Sequence, residues 1–137
     1  MIADASPSPR IAPPSTDPDS AFFWAGLREQ RVLIQRCAQC SRARFPAMPS
    51  CPWCAARDAS IEEISGTGQL YSWIVVRRAF DPAFEREVPY TIATVDFDAG
   101  GRVVGRLVAK ETPQFGMRLA PVFHEHPDWT ELRFRPL

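Results

Sequence analysis

The chain has 137 residues, 45% of them hydrophobic and 23% charged, with 16 basic groups against 16 acidic ones. That is enough for one domain or two very small ones, and its composition excludes wholesale disorder. A formal charge of zero weighs against a protein whose main task is gripping nucleic acid through released counterions, and no stretch approaches the ~20 apolar residues of a membrane span.

Met1 to Arg10 shows no positive segment followed by an apolar one, so no secretory leader is read there, and the expected compartment is the cytoplasm, where thiols stay reduced. Pro7, Pro9, Pro13 and Pro14 forbid a helix ladder, so residues 1–16 are expected to form an unstructured arm.

Asp17-Pro18-Asp19 is a helix start: Asp17 can accept free first-turn amides, Pro18 suits the first helical position, and Asp19 complements the dipole. A helix is expected over 17–30. Phe22, Phe23 and Trp24 sweep ~200° of its circumference at ~100° per residue, wider than one small core covers. Either all three tuck under the helix, or one face docks on another protein.

Cys37-Ala38-Gln39-Cys40 and Cys51-Pro52-Trp53-Cys54 are two C-x2-C knuckles. Each tight turn aims two sulfurs at one point, and two knuckles complete a tetrahedral site with no open position for water, which implies a structural metal. A redox pair would want a βαβ context and disulfides an oxidising compartment, and neither is apparent. Zinc is the expected ion, although the same four thiolates admit iron. Residues 31–65 should form this ribbon, with metal binding in place of a core, so that a chelator unfolds it. Arg31, Arg36, Arg42, Arg44 and Arg57 meet no acidic residue between 31 and 57. They would leave the module net positive, softening the metal-thiolate centre or meeting an acidic or phosphorylated partner.

After a charged link at Asp58, Glu62 and Glu63, residues 66–137 turn to β patterning. Strands are expected over 68–77, 90–97, 102–110, 118–125 and 130–135. Thr91, Ala93, Val95 and Phe97 form the buried face of the second, and Asp98-Ala99-Gly100-Gly101 turns it into the third. Five short strands without a helical crossover predict an antiparallel barrel of the OB type, with Pro113 and Pro121 at strand ends or edges. The long 78–89 connection carries Phe80 and Phe84 and follows Arg77 and Arg78, so it either packs on its own barrel or meets a partner.

Catalytic groups are scarce. His124 and His126 share a strand face but lack a third metal ligand, so they are read as surface residues. No nucleophile elbow, phosphate loop or H-E-x-x-H motif occurs, and no catalytic residue is assigned.

The order of helix, four-cysteine zinc ribbon and barrel resembles the rubredoxin-like zinc-ribbon plus OB-fold family described as acyl-CoA-associated. The resemblance rests on Phe22-Phe23-Trp24-Ala25-Gly26-Leu27, Ile34-Gln35-Arg36-Cys37, Phe45-Pro46, Cys51-Pro52-Trp53-Cys54, Gly66-Thr67-Gly68, Glu87-Val88-Pro89-Tyr90 and Phe134-Arg135-Pro136. Ser41 stands where the family usually has glycine. The resemblance implies a noncatalytic accessory subunit that partners a thiolase-like or sterol-carrier-type enzyme acting on acyl-CoA thioesters, steroid side chains included. Phe22, Phe23, Trp24, Arg77, Arg78, Phe80 and Phe84 are then the expected contacts to partner or ligand. The alternative from the barrel alone is a single-stranded nucleic-acid module, which tight, salt-sensitive oligonucleotide binding would reveal.

Overall fold

The computed structural model describes residues 9–15 and 17–137; of the expected arm, positions 1–8 and 16 lie outside the described residues. Residues 9–15 form no helix or strand, as their prolines require. They are nevertheless held. Trp129 Nε1 donates to the Ile11 carbonyl at 3.3 Å, and Arg10 comes within 3.9 Å of Asp128. A free arm is therefore corrected to a strap over residues 9–15.

Helix α1 spans Ala21–Arg28, followed by β1 (Val32–Cys37), β2 (Ala43–Arg44), β3 (Ala59–Ile64), β4 (Gly68–Val76), β5 (Tyr90–Phe97), β6 (Arg102–Leu107), β7 (Arg118–Glu125) and β8 (Thr130–Pro136). The helix is shorter than expected. Asp17 Oδ1 accepts the Ser20 amide at 2.9 Å and so closes a turn ahead of the helix, while the Ser20 carbonyl receives the first helical amides, from Phe23 and Trp24. At the other end Gln30 takes φ 58°; its amide reaches the Leu27 carbonyl and that of Arg31 the Gly26 carbonyl, the double closure usually given to glycine.

β1 is the centre of a three-stranded antiparallel sheet in the order β2-β1-β3. β3 occupies the segment read as a charged link. Its pairing runs from Val32↔Ile64 to Cys37↔Ala59, and its consecutive glutamates point to opposite faces, Glu62 half-buried beside Arg36 and Glu63 exposed beside Arg31.

The other five strands close a barrel in the order β4-β5-β6-β8-β7. An all-antiparallel barrel was the expectation, but β6 and β8 run parallel, with Leu107 opposite Phe134. The reason is arithmetic: strand directions can alternate all the way round a ring only when the strand number is even. Ala93, Val95 and Phe97 are buried as the alternation of β5 requires, whereas Thr91 is half-buried. Pro121 lies within β7 rather than at its end. It is tolerated because β7 meets β4 only at Leu119 and Arg118, so the Pro121 side of the strand is free.

One hydrophobic core joins all three parts. Phe23 and Leu27 of the helix, Val32 and Ile34 of the ribbon, and Leu70, Val95, Phe97, Leu119 and Phe134 of the barrel belong to the same cluster. The β5-β6 turn presses on the ribbon: a Cβ on Gly101, at φ 89°, would lie 2.9 Å from the Phe45 amide nitrogen. No helix among the described residues is long and apolar enough to cross a membrane.

Candidate metal centre and apolar surfaces

Cys37 ends β1, and the chain folds straight back: the Ser41 amide donates to the Cys37 carbonyl and the Cys37 amide to that of Arg42. The second knuckle repeats this, with Ala55 to Cys51 and Cys51 to Ala56. The residue after each knuckle, Ser41 at φ 63° and Ala55 at φ 64°, is left-handed without being glycine. Both turns therefore close as tightly as the ligands need, at a local cost of ~1–2 kcal/mol each.

The four sulfurs lie within 4.8 Å of one another, with Cys37 to Cys54 at 3.5 Å and Cys40 to Cys51 at 3.6 Å. Bonds of ~2.3 Å to one tetrahedral ion would put sulfurs ~3.8 Å apart, so the donor set fits zinc. The amides of Cys40 and Gln39 both approach the Cys37 sulfur at 3.4 Å and hold that thiol down to about 6. At Cys54 the Ala56 amide acts in the lowering direction, but burial and the neighbouring thiols push the group up to about 11. Four thiolates cannot share this volume alone, and a dication removes the conflict. Cys37, Cys40, Cys51 and Cys54 fit a structural zinc ion and are the residues that would hold it, fixing the two knuckles.

The arginines are not the bare positive set read from the sequence. β3 pairs beside β1, so Arg36 bonds Glu62, and Arg31 reaches Glu63 and Glu29, both at 3.2 Å. Arg42 lies over the Trp53 ring at 5.2 Å. Arg44 is 1% exposed. Its Nε donates to Gln35 Oε1 at 3.0 Å, which also accepts the Met48 amide, and its Nη2 donates to the Met48 carbonyl. This clamp on the segment between the knuckles carries no sequence signal, because nothing in the spacing of Gln35 and Arg44 announces a two-residue strand.

Among the expected contacts, Phe23 is in the core at 4% exposure and packs on Trp24 and Phe45. It offers no surface to a partner. Phe22 and Trp24 are partly buried, and Trp24 meets Trp129 edge-on at 6.1 Å. The two phenylalanines of the 78–89 connection separate. Asp81 caps a single tight turn at Pro82–Phe84 and Phe84 rests 5.9 Å from Tyr90, while Phe80 is 87% exposed with only Arg78 over its ring. Glu87, bonded to Arg106 at 2.7 Å, ties the end of this connection to the barrel. Arg77 and Arg78 are exposed and make no ion pair among the described residues.

His126 is not the surface residue expected. The 126–129 turn brings Trp129 flat against its ring at 4.3 Å, and its Nε2 lies 3.2 Å from Glu131, which also bonds Arg133. His124 is exposed. Between strap, helix, ribbon and barrel lies a cavity of about 610 Å³, walled by Trp24, Phe45, Phe84, Tyr90, Ile92 and Trp129. Sequence reasoning missed it because its walls come from segments far apart in the chain.

A four-cysteine ribbon sharing a core with an OB-type barrel defines a zinc-ribbon and OB-fold protein. Models of the ChsH2 rubredoxin-like zinc ribbon and of the ChsH2 C-terminal OB-fold domain match residues 24–59 and 62–124. A DUF35 domain-containing scaffold protein of Methanocaldococcus jannaschii is 36% identical over 105 residues, 73% of each chain. The solved structure described as "Ltp2-ChsH2(DUF35) aldolase" holds a chain 38% identical, with a TM-score of 0.80 over 90% of this chain and 98% of that one. The chain belongs to the DUF35 family of ChsH2-type zinc-ribbon and OB-fold proteins. A probable enoyl-CoA hydratase alpha subunit of Thermomonospora curvata is 39% identical over 126 residues, but this chain spans only 39% of its length.

Proposed function

We propose that the protein is a noncatalytic accessory subunit of an enzyme acting on acyl-CoA thioesters, steroid side-chain thioesters included, and that the enzyme is thiolase-like or of the lipid-transfer type. The observation that carries this reading is the near end-to-end likeness to a chain of an aldolase named for two components. The hydratase relative, whose name places it on an enoyl-CoA, points to thioester substrates. The zinc fixes the ribbon and supplies no reacting group. The helix and ribbon position the partner, and the apolar cavity under the strap helps to shape the space that receives the acyl body. The partner supplies the reacting residues.

The test is co-expression with the thiolase-like enzyme of the same genome, followed by gel filtration and an assay of carbon–carbon bond formation or cleavage on an acyl-CoA. A stoichiometric complex, with partner activity falling at least tenfold when this chain is withheld, is the expected result. A partner fully active alone and eluting alone overturns the proposal, as does tight, salt-sensitive binding of this chain to single-stranded oligonucleotides.

A further inference from the structure

β4 is paired on both sides only at its start. Gly68 and Gln69 meet β7, and Leu70 bonds to Met117 and Gly116; beyond the irregular Tyr71, Ser72 to Val76 have β5 on one side and, among the described residues, no strand on the other. Alternate residues of such a strand direct N–H and C=O groups away from the partner they have. Natural sheets blunt open edges with proline, charge or bulges. β7 does so across the opening, with Pro121 in the strand and His124 and Glu125 at its end. The bare stretch of β4 reads Tyr71-Ser72-Trp73-Ile74-Val75-Val76, without a proline, a glycine or a charge; the register shift in β4 falls at its first residue, Tyr71, and leaves Ser72 to Val76 in unbroken pairing with β5.

Its side chains are exposed on both faces. Trp73 and Val75 lie on the Ala93 side, Ile74 lies on the Ile92 side, and Ile74 is 63% exposed. Strand pairing buries both faces near an edge, which a flat docking surface would not do. The 9–15 strap is held at Trp129 and Asp128 and leaves this edge open. Directly beyond Val76 stand Arg77 and Arg78, exposed and without a carboxylate among the described residues, whereas Arg36, Arg102, Arg106 and Arg118 each have one.

We propose that the Tyr71–Val76 edge of β4 is completed by an extended strand of the partner enzyme, apolar on both faces and carrying carboxylates where it passes Arg77 and Arg78. Backbone bonds supply the fit and the two arginines fix the register. This rests on the accessory-subunit reading and names the surface that reading uses.

The experiment is hydrogen exchange on the full zinc-loaded chain, alone and mixed with the thiolase-like enzyme, together with the variants Val75→Lys and Arg77→Glu/Arg78→Glu. All three positions are exposed, so folding is retained, which circular dichroism verifies. Slowing of the 71–76 amides by at least tenfold in the complex is expected, with each variant weakening the complex tenfold or more. A complex in which those amides exchange as in the free chain overturns the strand pairing and leaves the accessory role standing. Absence of any complex overturns both. A chain that dimerises alone and is dispersed by Val75→Lys assigns the edge to a second copy and also overturns the proposal.

Discussion

The ribbon and the barrel keep their shapes by different means. In the ribbon, β1 buries Val32, Ile34 and Cys37 but β2 is two residues long and β3 keeps mostly half-wet side chains, so few apolar groups hold the sheet. Four thiols and an ion take their place, with apparent binding free energies of ~10–16 kcal/mol in comparable peptides. The barrel has no such cross-link. It buries most of its inner face, from Leu70 and Val95 to Leu119 and Phe134, yet leaves much of β4 exposed. The lesson is that bare apolar surface sits where the fold is strong without it, and the region poor in apolar groups exposes few.

The largest effect expected from breaking this contrast is on the ribbon. A zinc chelator, or Cys51→Ser, should strip protection from the β1 and β3 amides while β5 and β6 remain slow to exchange. A ribbon that stays protected without metal would mean that the shared core holds it. The second effect lies at the joint. Gly101→Ala places a Cβ against the Phe45 backbone at a φ favouring glycine and should cost ~2–3 kcal/mol in urea unfolding. Gly116→Ala, at φ 82° with open space around it, should cost only ~1 kcal/mol. Equal costs would show that the ribbon does not press on the barrel turn.

The smallest effect is electrostatic and belongs mainly to the barrel. Bonds from Arg106, Arg118 and Arg36 hold Glu87, Asp98 and Glu62 below the usual carboxylate range. Their contribution is present above the unfolded values near ~4 and is lost as pH falls below them. Partial desolvation at the barrel surface, then the Arg133 charge, lowers His124 although the residue is exposed, so the folded form resists its protonation and a small part of the stability falls as pH drops through ~6.5. Urea midpoints between pH 7.5 and 3.5 should decline in two steps, and His124→Asn should remove the upper one. A single step in both proteins would rule out the histidine contribution.

Much of this molecule is local in origin and so was readable from its residues. The two knuckles, the alternation of β5 and the Asp98–Gly101 turn are short-range patterns, and the structure has them where the sequence puts them. β3 was missed because its glutamates mask a strand that only pairing with β1 reveals. The helix start was misplaced because Asp17 serves the turn before it. The fates of Phe23 and Phe80, one buried and one bare, depend on what packs over each, and no local pattern distinguishes them. The same holds for His126, whose partners Trp129 and Glu131 reach it only after the 126–129 turn has closed.

The parallel contact of β6 with β8 also sets an order of events. β6 can pair with β5 as soon as the hairpin is made, but its other edge waits for Arg133 and Phe134, some 27 positions later in the chain. During synthesis the zinc knuckles and the first barrel hairpin are complete while Val103 and Leu107 still lack their cover. Closure of the ring is a long-range step of the kind that forms slowly, because the loop must be ordered before the contacts offset it.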